Sequence, residues 1–225
     1  MSFPTEAEYL QQASGALEIV EKYARDKLSR FPHHDFSSPS HTEEVKIFSG
    51  PPTDFEGAKE NMLKMNTILK VTVDKLFDKM VPFKGLRKQW DDQIEQQKVL
   101  QQIGDDVFIV HTVFKHRGFL PARDSVIIYK VKRSETEALV AGTSTTHPDA
   151  PPSPQVIRAN VHFVGYRLKN AGANYTKLRI YWCADLNLPS HAPADFKHSL
   201  LNEFVRKLIA AGIPSINPNP VNYHP

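Results

Sequence analysis

From residue 94 onward the chain alternates apolar stretches with short polar or Pro/Gly turns, and then closes on one amphipathic helix. Candidate strands fall at 94–103, 106–115, 123–133, 138–146, 156–169 and 176–187. The turns between them include "GDD", "HRGFLPA", "RSETE", "HPDAPPSPQ" and "KNAGANY". Strands joined this way predict an antiparallel meander. In the segment that follows, Phe196, Leu200, Phe204 and Leu208 lie four apart, with Leu201, Val205 and Ile209 beside them. That is a wide apolar stripe over about 17 residues of helix. Gly212 and Pro214 stop it. A half-buried sheet needs a cover for its apolar face, and this helix is the obvious one.

The first ninety residues read differently. Residues 5–30 predict a helix, with Tyr9, Ala13, Leu17, Val20, Ala24 and Leu28 on one stripe. Residues 31–53 are rich in Pro, Ser and His and hold a short strand in "EEVKIFSGPP". A strand is expected over 60–73. A helix is expected over 72–81, burying Leu76, Phe77 and Met80 and ending at Pro82, and then a short helix at 84–90 that presents Trp90. Helices at both ends and strands between them give the class α+β. No internal repeat or long linker interrupts the chain, so 1–213 reads as one domain and 214–225 as a loose Pro/Asn-rich tail.

Composition excludes several functions. The chain has 225 residues, enough for a core with an internal cavity. Its 28 Lys+Arg stand against 25 Asp+Glu, too even for the clustered basic stripe of a nucleic-acid binder. That charge permits weak attraction to an anionic membrane surface. A single cysteine, Cys183, rules out an intramolecular disulfide and fits a reducing, cytoplasmic compartment. The N-terminus does not read as a signal peptide, and no apolar run is long enough to cross a bilayer. There is no Gly-rich phosphate loop, no GxSxG and no zinc spacing, so neither a cofactor nor a metal is expected. His33-His34 read as a solvated pair. Cys183, between Trp182 and Ala184, reads as a small buried hydrophobe rather than a nucleophile.

Four stretches occur in order: "GLRKQWDDQIEQQKVLQQIGDDVFIVHTV", "PARDSVIIYKVKR", "VIRANVHFVGYRL" and "TKLRIYWCADLNLPSHAPADF". Together they resemble the START (steroidogenic acute regulatory protein-related lipid transfer) family, in its small single-domain, lipid- and sterol-binding branch. The residues that carry the likeness are Trp90-Asp91, Arg123-Asp124, Val156 to Ala159, Thr176-Lys177 and Asp185-Leu186. The resemblance implies a helix-grip fold, a curved antiparallel sheet of about nine strands wrapped around the C-terminal helix with an internal apolar tunnel. It implies a non-enzymatic domain that holds one hydrophobic ligand and opens a loop beside that helix at a membrane surface.

On that frame, strand alternation turns Phe108, Val110, Thr112, Ser125, Ile127 and Tyr129 toward the tunnel. Tyr166 and Trp182 line it from later strands, and Phe196, Leu200, Phe204 and Leu208 roof it. Residues 147–155 are expected to form a mobile loop near the mouth. Arg123 is expected to fix the strand start by pairing with Asp124 or Asp91, with a ligand contact as the alternative. The acid and arginine that sterol-carrying members place in the tunnel fall here on Thr112 and Tyr129. The tunnel is therefore expected to lack a charged pair, which leaves room for a carotenoid or acyl lipid beside a sterol. The function expected is binding and transport of one sterol, carotenoid or other lipid, with transient membrane contact. The alternatives are a pigment-storage protein and, further off, a hydrolase using Cys183 or a cavity histidine, or an interaction module with a filled core.

Overall fold

A computed structural model describes residues 3–25, 45–118, 120–190, 192–193 and 195–213, together with the backbone of 215–216. The elements in chain order are α1 (Glu6–Arg25), β1 (Lys46–Gly50), β2 (Met62–Leu69), α2 (Val73–Met80), a single 3-10 turn at Arg87–Gln89, β3 (Ile94–Ile103), β4 (Val107–Phe114), β5 (Arg123–Arg133), β6 (Glu137–Ser144), β7 (Ile157–Arg158), β8 (Asn160–Asn170), β9 (Thr176–Asp185), α3 (Phe196–Ala210) and β10 (Ser215–Ile216). The class is α+β and the sheet is the curved antiparallel one expected.

The strands run in the order β1-β2-β9-β8-β6-β5-β4-β3. This is not a simple meander. β2 pairs with β9 from Leu63↔Trp182 to Leu69↔Thr176, so the early hairpin closes against the last long strand. The strand expected over 156–169 is divided. Ile157 and Arg158 run parallel to Arg123 and Asp124, and the Ala159 amide then donates to the Asp124 carbonyl at 2.8 Å. Only from Asn160 does the chain join β6 and β9. Ser215–Ile216, within the expected tail, pairs with Leu69 and Ile68 of β2.

Alternation along each strand sorts the core into two layers. One face of the sheet buries Val107, Ile109, Val126 and Ile128 against Tyr9 and Ala13 of α1. Further along, Phe163, Tyr181 and Cys183 meet Ala16, Val20 and Tyr23. The buried stripe of α1 is therefore Tyr9, Ala13, Ala16, Val20 and Tyr23, stepping four, three, four, three. Leu17 and Ala24, placed on the stripe by sequence, sit at its margin. Steps of four alone overshoot the 3.6-residue turn, and the helix corrects with steps of three. Leu28 and the expected last turn of this helix lie outside the described residues, as do His33 and His34.

The opposite face carries the larger core. Met65, Leu69, Val110, Val140, Leu168, Leu178 and Ile180 from the sheet meet Leu76, Phe77 and Met80 of α2 and Leu201, Val205 and Leu208 of α3. Thr72 caps α2 by accepting from the Lys75 amide at 3.4 Å. The sheet thus grips α3, and between them the packing is incomplete.

Candidate ligand cavity

A cavity of about 230 Å³ lies between the sheet and α3. Ile127, Val161, Val164, Ile180, Trp182, Leu186, Phe196, Leu200, Leu201 and Phe204 form its apolar wall. Thr112, Ser125, Tyr129 and Tyr166 add hydroxyls. Of the residues expected to line it, Thr112, Arg123, Ser125, Ile127, Tyr129, Tyr166, Trp182, Phe196, Leu200 and Phe204 do so.

Phe108, Val110 and Leu208 do not. The Phe108 ring stacks on Phe83 at 4.2 Å between centroids, and Phe83 in turn meets Phe77, so this aromatic column fills space instead of lining it. Val110 is in the solid core. Leu208 is fully buried with Leu201 and Val205. Each four-residue step turns a helix about 40° beyond a full turn, so twelve residues after Phe196 the stripe has rotated by about 120°. Lys207, eleven residues on, returns to the cavity face in its place.

The expectation of a tunnel without a charged pair is overturned. Thr112 and Tyr129 carry no charge, but Arg87 and Asp91 enter from the 3-10 turn and line the cavity. Nε and Nη2 of Arg87 both donate to Oδ2 of Asp91, at 3.3 and 3.2 Å. The guanidinium lies 5.0 Å from the centre of the Phe204 ring. Burial works against its charge, but Tyr166, Asp91 and Tyr129 favour it more, and the pKa of Arg87 lies above its ordinary value. Burial pushes the Tyr129 and Tyr166 phenols upward, so both stay protonated at neutral pH. Strand periodicity could not find this pair, because it sits on a single turn with no repeat to read. The available signal was the Arg-x-x-x-Asp spacing around Trp90, which places two side chains on one helical face.

Arg123 fixes the start of β5, but not through a carboxylate. It donates to the carbonyls of Leu186 (2.9 Å), Pro121 (2.7 Å) and Asn187 (3.3 Å). It thereby ties the strand start to the segment leading into α3. Asp124 instead takes Arg158, and Asp91 takes Arg87 and Lys207.

Residues 147–155 do not line the cavity. Ala150 is buried against the α1 layer, and Arg158 bonds to the carbonyls of Ala150 and Pro151 at 3.2 and 3.4 Å. The loop on the cavity wall is the one between β4 and β5, with Lys115, Arg117, Leu120 and Pro121. Arg117 reaches Glu203 of α3 at 2.6 Å and lies 5.7 Å from the Phe196 ring. Lys207 bonds to Glu203 (2.8 Å), Asp92 (2.6 Å) and Asp91 (3.4 Å). At the other end of α3, Lys197 donates to the carbonyls of Asn61 and Ala184.

The sequence matches the START domain over residues 37–213. The chain belongs to the START domain family. Among curated START relatives it is 24% identical over 144 residues to the mitochondrial steroidogenic acute regulatory protein of Danio rerio and 22% identical to that of Homo sapiens. Each match covers 63% of this chain, and the chain spans about half the length of these relatives. The fold matches human StAR-related lipid transfer protein 5 with a TM-score of 0.73, at 22% identity, over 92% of this chain and 95% of that one. It matches human STARD10 with a TM-score of 0.69, at 14% identity, over 94% and 80%. These likenesses establish the helix-grip fold. Among the described residues no cluster of three metal-ligating side chains occurs, and no helix is long and apolar enough to cross a membrane.

Proposed function

We propose that this START domain binds one compact hydrophobic molecule, of sterol class, in the cavity under α3 and carries it between membranes facing the cytoplasm without chemical change. The observation that carries this is the cavity itself, walled by side chains such as Ile127, Ile180, Trp182, Leu200 and Phe204 and roofed by a helix. Removing a lipid from water gains about 0.8 kcal/mol per CH₂, which is ample for a carrier. At about 230 Å³ the cavity lies below the roughly 300–1,000 Å³ typical of ligand pockets, so a ligand must widen it. A rigid ring system asks less widening than an extended polyene, which favours a sterol over a carotenoid. The parts able to yield are residues 115–118 and 120–121 after β4 and the first turns of α3, joined by Arg117 and Glu203. A non-enzymatic role is supported by Cys183, whose thiol burial pushes up to about 11.

Organic extraction of the purified protein, followed by lipid mass spectrometry and a visible spectrum, tests this. One colourless sterol-class molecule per chain is expected, and the loaded protein should exchange it with liposomes. A stoichiometric visible chromophore would overturn the compact ligand. A protein that takes up no lipid from any membrane would overturn the carrier.

A further inference from the structure

We propose that Tyr129 and Tyr166, with Arg87 behind them, form a hydrogen-bond-donating end of the cavity that selects a ligand ending in an acceptor oxygen, a ketone ahead of an alcohol. This rests on the carrier reading above and names the chemistry of the ligand's polar end.

The inference starts from which hydrogen-bonding capacity is already used. Both Arg87 bonds go to one oxygen, Oδ2 of Asp91. The other oxygen, Oδ1, accepts from Lys207 at 3.4 Å. Asp91 is thus occupied on both sides, and Glu203, the other carboxylate on the cavity wall, is held by Arg117 and Lys207, so neither offers much to a ligand that donates. Arg87 can only donate, and beyond Asp91 its guanidinium also bonds to the Tyr166 hydroxyl, which leaves the Tyr166 proton for another acceptor. Tyr129 is 5% exposed and lines the cavity, yet its hydroxyl has no partner among the described residues. Tyr166 is 6% exposed, lines the same cavity and faces Arg87. Buried hydroxyls are ordinarily partnered, so one left open on a cavity wall points to a partner that arrives with the ligand.

The ion pairs on this wall are already matched. Arg87 and Asp91 compensate each other, and Lys207 is met by Asp91, Asp92 and Glu203. Arg123 also lines the cavity and bonds only to carbonyls, so charge alone does not sort anions from neutral ligands. A carbonyl oxygen carries two lone pairs, has no proton to place and leaves the ion pair intact.

The test is a matched set with one saturated steroid skeleton and one side chain: 3-deoxy, 3-hydroxy and 3-keto. Equilibrium binding is read from quenching of tryptophan fluorescence, Trp182 being on the cavity wall. The ketone should bind about ten-fold or more tighter than the 3-deoxy hydrocarbon, with the alcohol between them. Tyr129→Phe and Tyr166→Phe remove a hydroxyl and little else. Each should cut the ketone's advantage several-fold while leaving hydrocarbon affinity unchanged. Arg87→Met should abolish the advantage. Equal binding of ketone and hydrocarbon, an alcohol that binds best, or Phe variants with the wild-type ranking would each overturn the proposal while the carrier reading stands. If no member of the set binds, the sterol-class carrier reading fails, and this proposal fails with it.

Discussion

Arg158 grips Asp124 with two parallel bonds, Nε to Oδ1 at 2.7 Å and Nη2 to Oδ2 at 2.8 Å, beneath the start of β5. His111 approaches the same Oδ2 at 2.9 Å. Asp124 is buried, and its main chain also carries the short parallel bridge to β7. The Arg123-Asp124 doublet is therefore divided in function by strand alternation. Arg123 turns to the cavity side and holds the 186–187 segment, while Asp124 turns to the α1 side and holds β7.

Asp124→Asn should destabilise the domain by about 3 kcal/mol or more, because it leaves the guanidinium of a half-buried pair uncompensated. Burial raises the carboxyl pKa, but Arg158 and His111 outweigh it, and the folded value lies below the usual one. Asp185 and Glu203 are lowered likewise. Carboxylates depressed in the folded state stabilise fully above their unfolded pKa, near 4, and lose that contribution as pH falls through the folded values. Thermal melts should therefore show stability falling below about pH 4, with a shallower acid limb in the Asn variant.

Glu203→Gln should speed ligand exchange several-fold and barely move the melting temperature. Glu203 joins α3 to the β4–β5 loop through Arg117 at 2.6 Å and bonds to Lys207 at 2.8 Å. These side chains are partly exposed, so each pair is worth at most about 1 kcal/mol to overall stability. The same energy applied at a gate changes its opening rate directly. Wild-type exchange should quicken with salt, and the variant should respond less. Stopped-flow transfer to liposomes measures both, and an unchanged rate would place the gate elsewhere.

The strands from 94 to 133 and the last helix are legible in sequence because alternation and helical spacing persist for several turns or residue pairs there. The cavity wall from Thr112 to Tyr129 follows from the same alternation. What period cannot carry is the angular drift of α3, which takes Leu208 out of the cavity and brings Lys207 in. Nor can it show the β2–β9 pairing, since strands more than a hundred residues apart leave no local mark. The Arg87–Asp91 pair was missed for a related reason. Removing charge from Thr112 and Tyr129 suggests an apolar tunnel only if no other element reaches in.

Gly142→Ala should destabilise by about 1–3 kcal/mol and weaken ligand binding. A Cβ there would lie 2.8 Å from Cγ2 of Ile127 and 2.8 Å from Cδ1 of Tyr129, with the Ile128 carbonyl at 2.9 Å. The backbone oxygen cannot yield without disturbing the β5–β6 ladder, so the side chains must move. Ile127 and Tyr129 both line the cavity, and displacing them alters its wall. Urea unfolding and a binding isotherm on one preparation should show both losses together. A loss of stability with full affinity would mean that the strain relaxes away from the cavity.

Cys183 should be chemically silent in the folded domain. It is fully buried beneath α1 with Phe163 and Tyr181. Burial raises its thiol to about 11 despite the opposing pull of Lys197. The thiolate is the reactive form, so at pH 8 both its population and its access are small. Iodoacetamide at pH 8 should leave the native protein unlabelled and modify one site once urea unfolds it. Cys183→Ala should cost about 1 kcal/mol from lost packing and leave ligand binding unchanged. Rapid native labelling would show that the α1 layer opens far more readily than its packing against Tyr23 and Phe163 indicates, and would reopen a nucleophilic role for this residue.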